Sequence, residues 1–227
     1  MSSAPLQNLI TVLNDELPRI SLPPSRINPR WTFLPDSSLD SSSCSSTSNI
    51  ERAVKLYAQH LTSSGLPSPT KIVPKSPKVR YVPIYESPST ETLIEYEVCL
   101  FYIPPKKSIP LHDHPDMIVY SSLLSGDLSV TQMDARNWLS FLAPPKPRVF
   151  DAEVGACLAT LPRKGNLHQF ETQRGCMILD VVTPGYVEGR ECAYFREVGS
   201  GMVVEVTEEE LGFQVKGGEI VGFEDGV

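Results

Sequence analysis

The hydrophobic positions of this chain follow two rhythms, and the change between them falls near residue 79. In the first segment Leu6, Leu9, Ile10, Leu13 and Leu17 recur at the three- and four-residue spacing of one helical face. Ser3 can cap that helix, and Pro5 stands in the first turn, where a missing N–H is tolerated. A second helix is expected over residues 50–64, with Ile50, Ala53, Val54, Tyr57 and Leu61 on its apolar face and Gly65 and Pro67 ending it. Between the two, residues 37–48 hold eight serines and almost nothing that packs, which reads as a disordered linker or phosphoacceptor stretch. Pro67, Pro69, Pro74 and Pro77 then make a stiff connection.

From Val79 the period shortens. β-branched and aromatic runs over 79–85, 93–103, 117–124, 128–133, 157–161, 177–182 and 202–206 alternate with turn signals such as Ser125-Gly126-Asp127 and Arg174-Gly175. Many short strands without intervening helices indicate a mainly β sandwich or barrel. The chain therefore divides into a helical and linker segment, 1–78, and a β domain, 79–227.

Composition narrows the function. At 227 residues, 41% hydrophobic and 21% charged, the chain can fold as one well-cored domain with an accessory segment. A formal charge of −7 argues against nucleic acid or an anionic membrane as partner. The charge is uneven, +3 over residues 1–78 and −10 over 79–227, and Glu208-Glu209-Glu210 reads as a solvated tail face. No stretch approaches the roughly 18 apolar residues of a membrane span. Asp15 and Glu16 stand where a signal peptide stays apolar, so a cytoplasmic location, with the nucleus also open, is expected. The five cysteines form no C-x-x-C pair and read as free thiols.

Histidine is scarce, and three of the four fall where metal chemistry wants them. His112 and His114 are two apart in Pro110-Leu111-His112-Asp113-His114-Pro115, so on a strand both imidazoles share a face. His168 follows 54 residues later, at the start of another expected strand. Three neutral imidazoles would leave about three positions open on an octahedral metal, a catalytic arrangement. His60 belongs to the second helix and is left as an ordinary helix residue.

The spacing from His112-x-His114 through Val119 to Gly126, with Gly155, Pro162 and Gly165-x-x-His168 further on, resembles the two cupin motifs. That resemblance implies a double-stranded β-helix, or jelly-roll, barrel. Val119 stands where the cupin motif has a metal-binding glutamate. A site of neutral ligands keeps the full +2 charge of a ferrous ion and lowers the pKa of an incoming thiol. The runs Ile109 to Pro115, Gly165-Asn166-Leu167-His168, Ile178-Leu179-Asp180-Val181 with Pro184-Gly185-Tyr186, and Gly189-Arg190-Glu191-Cys192-Ala193-Tyr194-Phe195-Arg196 are similar to the plant cysteine oxidase and 2-aminoethanethiol dioxygenase family. The resemblance covers about residues 81–196.

It implies a monomeric Fe(II) enzyme that passes both atoms of O2 to a thiol and forms a sulfinic acid. The substrate would be the N-terminal cysteine of a protein, whose oxidation feeds an arginylation-dependent degradation route and so senses oxygen, or the small thiol cysteamine. A cupin serving only as a binding module is the non-enzymatic alternative, and retention of all three histidines argues against it. Asp180 either ends its strand at solvent or, as the resemblance implies, lies near the metal and orients the substrate amine. Tyr186 is either a packed tyrosine or a hydroxyl that positions oxygen. Cys192 and Tyr194, i and i+2 on one face, are either a packed pair or the partners of an oxidative thioether crosslink. Asp113 points away from the metal and holds structure, and Asp116 is expected in a left-handed turn.

Overall fold

Short alternating runs give strands, and the turn residues between them set how the strands pair. The computed structural model describes residues 4–20, 41–64, 78–88, 95–133, 147–162, 164–185, 191–198, 203–213 and 215–217. Among these, the strands are β1 (Val79–Glu86), β2 (Glu97–Ile103), β3 (Lys107–His112), β4 (Ile118–Gly126), β5 (Leu128–Met133), β6 (Arg148–Ala152), β7 (Cys157–Thr160), β8 (Leu167–Thr172), β9 (Cys176–Thr183), β10 (Tyr194–Glu197), β11 (Val203–Val206) and β12 (Val215–Gly217). They form two six-stranded sheets, in the orders β12-β1-β2-β9-β4-β7 and β11-β10-β3-β8-β5-β6. All neighbours are antiparallel except β1 with β12. This is the double-stranded β-helix architecture, and each sheet remains open rather than closing on itself.

Strand β9 is the spine of the first sheet. All eight of its residues are buried. Met177, Leu179 and Val181 face a cluster shared with the N-terminal helices, whereas Cys176 and Ile178 face the interior between the sheets. Burial on both faces makes a near-continuous apolar run, CMILDVVT, in which Asp180 is the one charged residue.

Helix α1 (Ala4–Glu16), a 3-10 turn (Leu17–Arg19) and α2 (Ser41–Ser63) cover the outer face of this sheet. Leu13, Ile50, Val54 and Ala58 are completely buried there. Two hydrogen bonds fix the layer: Asn49 Nδ2 donates to Glu16 Oε1 at 2.7 Å, and Tyr96 Oη donates to Asn14 Oδ1 at 3.0 Å. The helices thus share the largest core cluster with β4 and β9.

One expectation meets a different outcome. Helix α2 begins at Ser41, so the backbone of residues 41–48 is helical where composition pointed to a linker. Serine is only a modestly poor helix former, and the amphipathic run from Ile50 to Leu61 carries the helix back through it. Residues 37–40 and Pro67, Pro69, Pro74 and Pro77 lie outside the described residues. The acidic run at 208–210 is solvent-exposed, as expected, and opens a short helix, α3 (Glu208–Leu211), with a capping box between Thr207 and Glu210 and Gly212 at φ 60° closing it. Acidic groups suit the positive end of a helix. Among the described residues, no helix is long and apolar enough to cross a membrane.

Candidate metal centre

Register places the histidines. In the second sheet Tyr194 pairs with His112, His112 with His168, and His168 with Gln132, so all four residues lie on one rung and share a face. His112 is the last residue of β3, and His114 lies just past the strand, in the segment leading to the Pro115-Asp116 turn. Asp116 has φ 54°, the left-handed conformation expected of it. Asp113 is fully buried and points the other way, as expected: its Oδ1 accepts from Ala193 N at 2.7 Å, and its own N–H donates to Ala193 O at 3.1 Å. That exchange ties the end of β3 to the start of β10. Asn166 holds the backbone of His114, Nδ2 donating to His114 O at 2.7 Å.

The three rings converge. His168 Nε2 lies 3.0 Å from both His114 Nε2 and His112 Nε2, and the three ligand atoms all fall within 4.8 Å of one another. His112 Nδ1 stands 2.7 Å from Pro110 O and must carry the proton, which leaves Nε2 a lone pair. His168 Nδ1 is 3.2 Å from Thr160 Oγ1, and its ring packs on Phe170 at 4.5 Å. Burial drives all three imidazoles toward the neutral form, His112 down to about 4.

Neutral rings with inward lone pairs repel unless something between them is a cation. Bonds of about 2.1 Å meeting at right angles hold neighbouring nitrogens about 3.0 Å apart, whereas a tetrahedral set holds them about 3.4 Å apart. The 3.0 Å separations of His168 from His112 and from His114 fit ligands that meet at right angles on an octahedral ion. The residues present therefore fit a divalent metal with open positions.

The first sheet supplies the facing wall. Directly opposed residues share a face, so Glu97, Val182, Val119 and Thr160 form one row across β2, β9, β4 and β7, and Cys99, Asp180, Ser121 and Leu158 form the next. Thr160 touches His168, which sets the first row level with the histidines. Val119 is fully buried with Met117 and Val182, so the wall beside the metal is apolar where a carboxylate ligand would otherwise stand. Asp180 is 5% exposed, which rules out the strand end at solvent. Burial lifts its pKa to about 7, with the nearby Ser121 hydroxyl lowering it and Glu97 adding to the rise. Burial likewise raises Glu97 to about 7.

Tyr194 lies against His112 at 6.1 Å and against Phe213 at 5.4 Å. Burial pushes its phenol far up, and Cys192 and Glu208 add to the rise, so Cys192 and Tyr194 are neighbours in space as in sequence. Tyr186, Gly189 and Arg190 lie outside the described residues. Sequence reasoning passed over Thr160, Asn166, Gln132 and Glu97. Only Asn166 carried a signal, its place inside the Gly165-Asn166-Leu167-His168 element.

A family model described as PCO_ADO matches residues 47–215. Plant cysteine oxidase 2 of Arabidopsis thaliana is 32% identical over 133 residues, covering 53% of this chain and 45% of that protein. Probable 2-aminoethanethiol dioxygenase of Dictyostelium discoideum is 28% identical over 150 residues, 60% of this chain and 65% of that protein. The human 2-aminoethanethiol dioxygenase is 29% identical over 152 residues, 54% of each. The matched part of the chain spans less than half the length of the Arabidopsis relative. Among solved structures, a double-stranded β-helix protein from Klebsiella pneumoniae aligns at a TM-score of 0.40 and 16% identity, covering 55% of this chain and 90% of that one.

Proposed function

The chain belongs to the PCO_ADO family, and from that premise we propose that it is an iron(II)-dependent dioxygenase that converts the N-terminal cysteine of protein substrates to cysteine sulfinic acid. One observation carries the reading: three neutral imidazoles converge on a single point with no carboxylate among them. Ferrous iron bound there would offer thiol and O2 adjacent positions and let both oxygen atoms pass to sulfur.

The protein's own groups do the rest. The three Nε2 lone pairs hold the ion, Pro110 O fixes the tautomer of His112, and Thr160 Oγ1 steadies the His168 ring through Nδ1. Val119 leaves the positive charge uncompensated, which favours a thiolate over a thiol. Asp180, on the facing sheet, accepts from the substrate ammonium. Cys192 and Tyr194 stand side by side next to His112, the arrangement a thioether crosslink would need. Oxidised N-terminal cysteine would mark the substrate for degradation and couple its lifetime to oxygen. Oxidation of cysteamine to hypotaurine is the second reading, supported by the relatives named 2-aminoethanethiol dioxygenase.

The test loads the protein with Fe(II) without air, admits O2, and follows a Cys-initiated peptide and cysteamine by mass. The peptide is expected to gain two oxygen atoms at its N-terminal residue, faster than cysteamine gains them. A tenfold preference for cysteamine would select the second reading. No oxygen gained by either thiol would overturn both.

A further inference from the structure

Two carboxyls face the interior from the first sheet, and no cation among the described residues lowers the pKa of either. Glu97 opposes Val182 and Asp180 opposes Cys99, so the two acids are diagonal neighbours on one face of the β2–β9 pair, within about 8 Å of each other. Among the described residues, Asp180 Oδ1 and Glu97 Oε1 are buried without a hydrogen-bond partner, and the Ser121 hydroxyl beside Asp180 lowers its pKa too little to offset burial. Glu97 is the more accessible of the two, at the start of β2, and Glu86 directly across from it carries the negative edge out into solvent. The interior between the sheets thus has three imidazoles on one wall and a graded acidic edge on the other.

Leaving buried carboxylate oxygens unpaired is costly, and a second acid alongside raises the cost. Such a pair is what an ion pair looks like when the cation belongs to a ligand. A primary ammonium has three donors. It can satisfy Oδ1 and Oε1 together, where an uncharged or anionic group would leave both unpaired.

We propose that Glu97 joins Asp180 in a paired-carboxylate pocket for the primary ammonium of the substrate, and is a specificity-determining residue of the site. The inference deepens the thiol-oxidising reading and rests on it for the identity of the amine: an aminothiol, or the N-terminus of a cysteine-initiated chain. The acidic edge discriminates against thiols that carry a carboxylate near sulfur.

The experiment titrates the 227-residue chain with propylamine, an ammonium without a thiol, by calorimetry, with and without Fe(II) and with oxygen excluded. Wild type is expected to bind and to release protons on binding. Glu97→Gln is expected to weaken binding at least tenfold and Glu97→Asp by less, while Glu171→Gln, on the exposed outer face of β8, changes it less than twofold. Equal affinity in wild type and Glu97→Gln, or no binding by wild type, would overturn the pocket. A kinetic arm uses the iron-loaded enzyme: Glu97→Gln is expected to raise KM for cysteamine at least tenfold and to leave that for 2-mercaptoethanol, which has no amine, within twofold. If no thiol is oxidised, the enzymatic reading fails, and the propylamine titration still decides the pocket.

Discussion

At the scale of the residue, the site separates charge by wall. The histidines are neutral because they are buried, and burial outweighs the bond from His112 Nδ1 to Pro110 O, which by itself favours the charged ring. Asp180, buried opposite them, is held toward its protonated form in the metal-free protein. A carboxyl whose pKa rises on folding favours the native state at low pH, and that advantage is lost as pH climbs from the unfolded value near 3.9 through the folded value. With Asp180 at about 7, metal-free Asp180→Asn should be the more stable protein above pH 7, by up to about 4 kcal/mol. The difference should shrink toward pH 4. Thermal melts of both proteins across pH 4–8 check this, and parallel curves would remove the buried charge from the account. The same variant should lose most thiol oxidation while still taking up Fe(II), since the role proposed for Asp180 is to orient the amine and it is not among the three clustered ligands. Turnover equal to wild type would take Asp180 out of the site.

At the scale of the element, the helices are a lid on the outside of the first sheet, and they support the site through β4 and β9. Leu13 is completely buried in this contact, whereas Leu56 on α2 is 57% exposed. Leu13→Ala should cost about 2–5 kcal/mol, the usual range for emptying a packed leucine site. Leu56→Ala should cost no more than about 0.5 kcal/mol. Urea unfolding of the two variants measures both, and equal midpoints would mean that α1 is not docked as described. The apolar faces of both helices were legible from the spacing of Leu6 to Leu17 and of Ile50 to Leu61. The early start of α2 at Ser41 was not, because a run of serines carries no periodic signal of its own. Strand β6 escaped notice for a related reason: it is a largely exposed edge strand, with Val149 66% exposed, so no alternation marks it.

At the scale of the whole molecule, two open sheets place imidazoles from β3, β8 and the segment after β3 against a wall from β2, β9, β4 and β7. The ligand set was readable because His112, His114 and His168 are three of only four histidines and sit in a recognisable spacing. The facing residues were not readable. Thr160 and Glu97 acquire their roles only through strand register, which pairs Val119 with Thr160 and Glu97 with Val182 across more than 80 residues of chain in the latter case. Asp180 stood out in the sequence as the lone charge in an apolar run, and the fold turns that oddity into a buried acid. The central claim is that these three rings hold one ferrous ion, and elemental analysis after anaerobic reconstitution tests it most directly. The account predicts one Fe(II) per chain in the wild type and near-complete loss in His168→Ala, whose circular dichroism should remain that of a folded β protein. Iron bound equally well by a folded His168→Ala variant would contradict it.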